Sequence, residues 1–260
     1  MPPDRTPHPD ATPPPRGEWA WTLAAALIVV AFSLTFLLRD SQFFWNDDYQ
    51  TYQLAGYRDA ARALAHGEAP LLSPYSWFGG ALAGEYQVGV FSVFLMGLSL
   101  AAFTAGAPLP YVAAVLSIIH LAVLSAGAFR LARTRGLARD LALLVALIAS
   151  LNGWIFLWGG KQWFPALASF AWLPWFWWAL ERALRPGARW RAFLPAGLFL
   201  YLLITAGWPF TVLMALLLSA WLVARTLWLC RRVLAPWPVA AAWLTGLGLS
   251  APAWLMLLTY

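Results

Sequence analysis

The apolar residues of this chain fall into eight nearly unbroken runs, at 19–38, 88–104, 111–129, 141–158, 163–180, 192–207, 210–229 and 239–258. A helix needs about 20 apolar residues to cross a hydrocarbon core of about 30 Å, so most of these runs have close to crossing length. Charged residues make up only 11% of the chain and hydrophobic ones 62%. Soluble domains carry about 25% charged residues, and a chain this apolar has too little polar surface to cover a soluble core. A soluble fold is excluded. A β-barrel is disfavoured, because its strands alternate apolar with polar positions and these runs do not. The expected fold class is all-α, a polytopic helical membrane protein.

The arginines set the topology. Arg130, Arg133, Arg135 and Arg139 form one cluster, Arg182, Arg185, Arg189 and Arg191 a second, and Arg225, Arg231 and Arg232 a third, with two runs between successive clusters. All three therefore share one side, which the positive-inside rule makes cytoplasmic. The net charge of +6 reports this topology, and no nucleic-acid partner is implied. Residues 39–85 hold six of the eleven acids, namely Asp40, Asp47, Asp48, Asp59, Glu68 and Glu85, which favours the outside. An odd number of crossings must then separate this loop from Arg130. The run 88–104, short and interrupted by Gly89 and Gly97, is accordingly expected to be an interfacial or re-entrant helix. The expectation is seven spans, an N-terminus inside, and a first extracytoplasmic loop over 39–109.

The segment 1–17 is so rich in proline that it reads as a disordered cytoplasmic tail, followed by a helical membrane domain over 18–260. The first run is too long for a signal-peptide core and lacks a small-residue cleavage site. The single cysteine, Cys230, excludes an intrachain disulfide. No internal repeat is visible and no charged residue lies deep in a run, which argues against inverted-repeat transporters and ion-coupled pumps. His120, near the middle of a run, is expected to be a neutral imidazole bonded to a neighbouring helix. Trp154, Trp158, Trp163 and Trp208 flank the outer turns and Trp178, Trp190 and Trp228 the arginine clusters, as an aromatic belt does.

The loop is where chemistry is expected. Phe43-Phe44-Trp45 would anchor it at the interface, and Tyr49 to His66 reads as a helix lying on the membrane, with Tyr49, Tyr52, Ala60, Ala63 and Leu64 toward lipid. On the same reading Gln50, Gln53, Arg58, Asp59 and Arg62 face water. Asp47 and Asp48 are the only adjacent acids in the chain. Two readings stand for them: caps of a helix N-terminus, or a general base for an incoming hydroxyl beside a carboxylate that orients substrate or holds a divalent cation such as Mg or Mn.

A first span, an external acid before a Tyr-rich helix, then Gly67-Glu68-Ala69-Pro70-Leu71-Leu72-Ser73-Pro74-Tyr75 and the Gly79-Gly80 turn together resemble the first loop of GT-C superfamily glycosyltransferases, especially the YfhO-type bacterial membrane proteins. The turn Leu203-Ile204-Thr205-Ala206-Gly207-Trp208-Pro209 is also similar, with Trp208 where those chains often carry histidine. The resemblance implies a bacterial inner-membrane enzyme whose loop bears the catalytic acid and whose donor is a sugar on a polyprenyl phosphate. Carried over, it makes Asp47 or Asp48 the acid. Lys161, the sole lysine, would lie at the donor phosphate, the alternative being an interfacial lysine that snorkels to headgroups.

Glu85 and Gln87 are either hydrogen-bonding partners of sugar hydroxyls or a solvated loop end. Arg58 and Arg62 could grip a phosphate, although pairing of Asp59 with Arg62 is preferred. Tyr49 and Arg58 complete the expected substrate-binding set. The acceptor would be an envelope glycan, lipid or protein. The rivals are a non-catalytic lipid-binding or lipid-translocating membrane protein, and an N-terminal fragment of a longer enzyme, since such enzymes usually extend further.

Overall fold

The computed structural model describes residues 17–74, 80–230 and 236–259, among which the chain is helical with no strand. The α-helices are α1 (Glu18–Arg39), α2 (Leu54–Ala65), α3 (Val93–Thr104), α4 (Leu109–Thr134), α5 (Arg139–Leu151), α6 (Phe164–Phe170), α7 (Leu173–Ala183), α8 (Leu194–Thr205), α9 (Pro209–Cys230), α10 (Pro236–Leu249) and α11 (Ala251–Thr259). The tail expected to be disordered lies outside the described residues up to 16, as do 75–79 of the loop motif and Arg231 and Arg232 of the third cluster.

Among the described residues three helices, α1, α4 and α9, are long and apolar enough to cross a membrane, and α10 with α11, bent by 64°, makes a fourth if taken as one span. The other runs are cut short by identifiable residues. Asn152 turns extended after α5, and a π-helical turn follows at Trp154–Gly159. Pro165 lies within the first two positions of α6, and Pro174, likewise placed in α7, divides the run 163–180 into the two helices, because proline has no N–H to continue a preceding helix. Helix α3 has 12 residues and is about 18 Å long at 1.5 Å per residue, too short to cross.

Hydroxyls inside the long helices bond back to their own turns, as Thr22 does to Glu18 O at 2.9 Å, Ser33 to Val29 O at 2.8 Å and Ser219 to Ala215 O at 2.7 Å. Each of these hydroxyls is thereby paired without water. His120 behaves the same way: its Nδ1 lies 2.7 Å from Leu116 O, on its own helix rather than a neighbouring one, while its ring meets Phe94 and Phe164 edge-on.

The arginine clusters meet at one end of the bundle. Arg133 grips Glu18 through Nε at 3.1 Å and Nη2 at 2.9 Å, and Arg139 approaches the same carboxylate at 3.5 Å. Arg135 and Arg225, from the first and third clusters, share Glu181. Arg130 of the first and Arg182 of the second both lie against the ring of Trp178, at 5.4 and 4.9 Å. Three sequence-distant groups thus share a side, as the spacing of the runs requires.

The loop departs from expectation in what it packs against. Phe44, Tyr49, Leu54, Tyr57 and Ala60 are buried in one core with Leu95 of α3, Leu116 of α4 and Phe164 of α6. The aromatic anchor faces protein: Phe43 packs on Phe36 at 4.8 Å and Phe44 on Phe156 at 5.8 Å. The lipid-facing set is therefore corrected for Tyr49 and Ala60, and the water-facing set for Gln53, all three buried. Hydropathy asks only for an apolar neighbour, and a helical core satisfies that as well as a bilayer does.

Gly207 seats the end of the loop. Its φ is +93° and an added Cβ would lie 2.6 Å from Tyr86 O and 2.9 Å from Gln87 Cα. Gly207→Ala is expected to lose about 1–3 kcal/mol from the backbone conformation alone, and more from the collision with the backbone. Gly97→Ala, on α3 with nothing within 4 Å, is the control and should melt at or slightly above the wild-type temperature in detergent.

Candidate functional site

The outer turns gather at the end of the bundle opposite the arginines, since α1 leads from Glu18 to Arg39 and α5 leads from Arg139 toward Trp154. There two π-helical segments, Tyr49–Gln53 and Trp154–Gly159, stand on either side of one backbone bond: Tyr49 N–H donates to Gln162 O at 3.0 Å. π-Turns are rare and concentrate at functional sites. Ser117 of α4 holds the same turn from below, its Oγ donating to Gly160 O at 2.7 Å. The backbone next to Asp48 and that next to Lys161 are thereby joined although more than a hundred residues separate them.

Neither aspartate caps the helix. Asp48 stands at the N-cap with no side-chain capping bond, and the bond at this corner is from Asp47 N–H to Asn46 Oδ1, 2.9 Å. Asp47 is the only non-glycine described residue with positive φ, at +50°, a conformation that Asp and Asn tolerate better than other side chains. No ion pair involves either carboxylate among the described residues. Asp47 is exposed and Asp48 half-buried. Lys161 is half-buried, its ammonium 4.7 Å above the centre of the Phe43 ring, a cation–π contact that aims the charge without neutralising it.

Contacts continue around the rim. Trp163 packs on Trp208 at 5.6 Å, and Trp158 touches both. Glu85 accepts a hydrogen bond from the Tyr52 hydroxyl at 2.5 Å, and Gln87 lies half-buried beside the Gly207 turn. Glu85 also borders a crevice of about 10 Å³, room for about one water. Five expected residues, Asp47, Asp48, Lys161, Glu85 and Gln87, thus belong to one connected end of the molecule. The tyrosine that engages Glu85 was not expected there; its signal is its spacing, four residues after Asp48 on the same helical stretch. Ser117 was missed too, although a hydroxyl near mid-helix always needs a partner.

Two expected residues do not present their side chains at that end. Tyr49 is corrected as a substrate contact: its ring has no exposed surface, stacks on Phe164 at 4.8 Å, and its hydroxyl donates to Ala113 O at 3.1 Å. It fastens the loop. Arg58 lines a separate cleft of about 580 Å³ with Phe103, Thr104 and Pro108, and Arg62 pairs with Asp59 at 3.4 Å as preferred. As a metal set, Asp47 and Asp48 stand without a third ligand, since no group of three or more His, Cys, Asp or Glu occurs among the described residues. A protein cage for Mg or Mn needs more oxygens than two carboxylates supply.

Burial raises the pKa of the Tyr49, Tyr57 and Tyr86 phenols. A folded value above the unfolded one, about 10, contributes stability that is complete below that pH and is lost as pH rises beyond it. The loop is expected to stay docked from neutral pH to about 10 and to loosen above it. Tyrosinate absorbance in detergent checks this, and ordinary titration of all tyrosines with the loop still docked would contradict it.

No protein-family model, curated protein or solved structure matches the chain.

Proposed function

We propose that the chain is a GT-C-type membrane glycosyltransferase, moving a sugar from a polyprenyl-phosphate donor to an extracytoplasmic acceptor. On this reading it has seven spans with its N-terminus inside a bacterial inner membrane, and the shorter helices complete crossings in pairs or obliquely. The observation that carries the reading is the Tyr49 N–H bond to Gln162 O, which joins the acidic corner to the sole lysine at the end away from the arginines.

In the reaction, one carboxylate of Asp47 or Asp48 takes the proton of the acceptor hydroxyl as its oxygen attacks the anomeric carbon. The bond from that carbon to the donor phosphate oxygen breaks, and the electron pair leaves on the phosphate. Lys161 stabilises that departing charge from its post over Phe43. Glu85 and Gln87 supply acceptors and donors for sugar hydroxyls along the rim.

The test is donor binding. Lys161→Arg should retain most affinity for a polyprenyl-phosphate sugar in vesicles, whereas Lys161→Ala should lose about tenfold or more, the scale of a charge-assisted hydrogen bond. Equal binding by the three proteins would remove the lysine from the site. One feature favours the lipid-binding rival, in which the loop only recognises headgroups: Asp47 is exposed rather than enclosed in a cleft. Under that reading Lys161→Ala weakens binding but no variant transfers sugar.

A further inference from the structure

A second feature lies on the flank of the bundle. An elongated groove of about 840 Å³ runs between α4, α5, α7 and α9, from Arg135 and Trp177 at one end to Asn152 and Trp154 at the other. Its floor is apolar, with Leu124, Ala128 and Ala149 along its length. Helix α5, which forms one side of it, has 13 residues, about 20 Å at 1.5 Å per residue. The surfaces beside it are the exposed apolar faces of α5 and α9, including Leu144, Ile148, Leu213 and Leu217. The groove therefore opens toward hydrocarbon, and whatever fills it enters from the bilayer.

Charge decides which lipid. At the arginine end Arg135 and Arg225 share the single carboxylate of Glu181, which also accepts from Trp177 Nε1 at 3.1 Å. Two guanidiniums against one carboxylate leave one positive charge in excess at the mouth of an apolar groove. Both arginine side chains keep part of their surface open, 30% and 42%, which leaves room for a phosphodiester beside the Glu181 pairs. Trp177 and Trp221, stacked against Arg135 at 5.2 and 5.6 Å, hold its fork in place.

We infer that this groove binds one anionic phospholipid, its headgroup on Arg135 and Arg225 and an acyl chain along α4 and α5. The inference is independent of the sugar-transfer reading, because the headgroup site lies at the opposite end from Asp47 and Lys161.

The test uses the purified full chain in detergent with equal amounts of phosphatidylglycerol and phosphatidylcholine of identical acyl chains, read by native mass spectrometry. The wild type is expected to prefer phosphatidylglycerol about fivefold, the effect of one net positive charge at a membrane surface. Arg135→Gln with Arg225→Gln should abolish the preference, Arg135→Lys should keep it, and Ala149→Phe, which fills the groove without touching the arginines, should reduce binding of both lipids. Equal occupancy by the two lipids in the wild type overturns the inference whether or not any variant folds. So does a preference that survives Ala149→Phe at full occupancy, which would place the lipid on the surface charge alone.

Discussion

Replacing Asp47 and Asp48 singly by asparagine is expected to leave one variant transferring sugar about 10²- to 10⁴-fold more slowly than wild type, the usual worth of a general base. Both variants should melt as the wild type does. The structure sharpens this expectation, because the competing explanation for the acids, helix capping, has no bond to rest on: the N-cap carboxylate at Asp48 accepts none, and Asn46 serves Asp47 N–H. Asparagine also tolerates the positive φ that Asp47 adopts, so folding should survive at either position. Transfer in vesicles supplied with a polyprenyl-phosphate sugar is the measurement. Wild-type rates from both variants would sink the enzymatic reading; loss of transfer together with loss of the melting transition would point to folding instead, and Asp47→Glu, which restores a carboxylate, then separates the two.

The other large effect is structural. Tyr49→Ala is expected to lose about 3–5 kcal/mol, as other large aromatic-to-alanine changes in cores do. It removes a fully buried ring stacked on Phe164, which also bears Tyr57 and His120 on its edges. Tyr49→Phe removes only the bond to Ala113 O and should lose about 1 kcal/mol. Hydrogen exchange of residues 159–163 reads the consequence at the site, because the Tyr49 backbone docks on Gln162. The alanine variant should expose that turn and the phenylalanine variant should not. Equal protection in both would mean that the lysine turn holds itself, with Ser117 as its sufficient support.

The loop shows where reading a sequence stops. Asp47, Asp48, Lys161, Glu85 and Gln87 were each identifiable as polar groups stranded at the edges of apolar runs, and the fold brings all five to one end. What could not be read was the partner of each. Tyr52 and Glu85 meet across 33 residues, and Tyr86 donates to Ile204 O across 118; no periodicity encodes such a contact. The aromatic residues misled for a related reason. Phe44 and Tyr49 have the same transfer free energy whether their surroundings are lipid tails or leucine side chains, so hydropathy assigned them to the membrane while packing drew them inward.

By itself the sequence determined that this chain is helical and membrane-bound and that its arginine clusters face one side, because backbone hydrogen bonds must close within each segment and cations are costly to move across hydrocarbon. These are local or additive properties, and each run states them independently. The tertiary structure alone decided which runs are whole helices and which are broken, that the first loop is part of the core, that Glu18 and Glu181 tie the arginines together, and that a lateral groove ends on their surplus charge. Each of those depends on side chains far apart in the chain filling one another's space, and close packing is a property of pairs and clusters that no single segment carries.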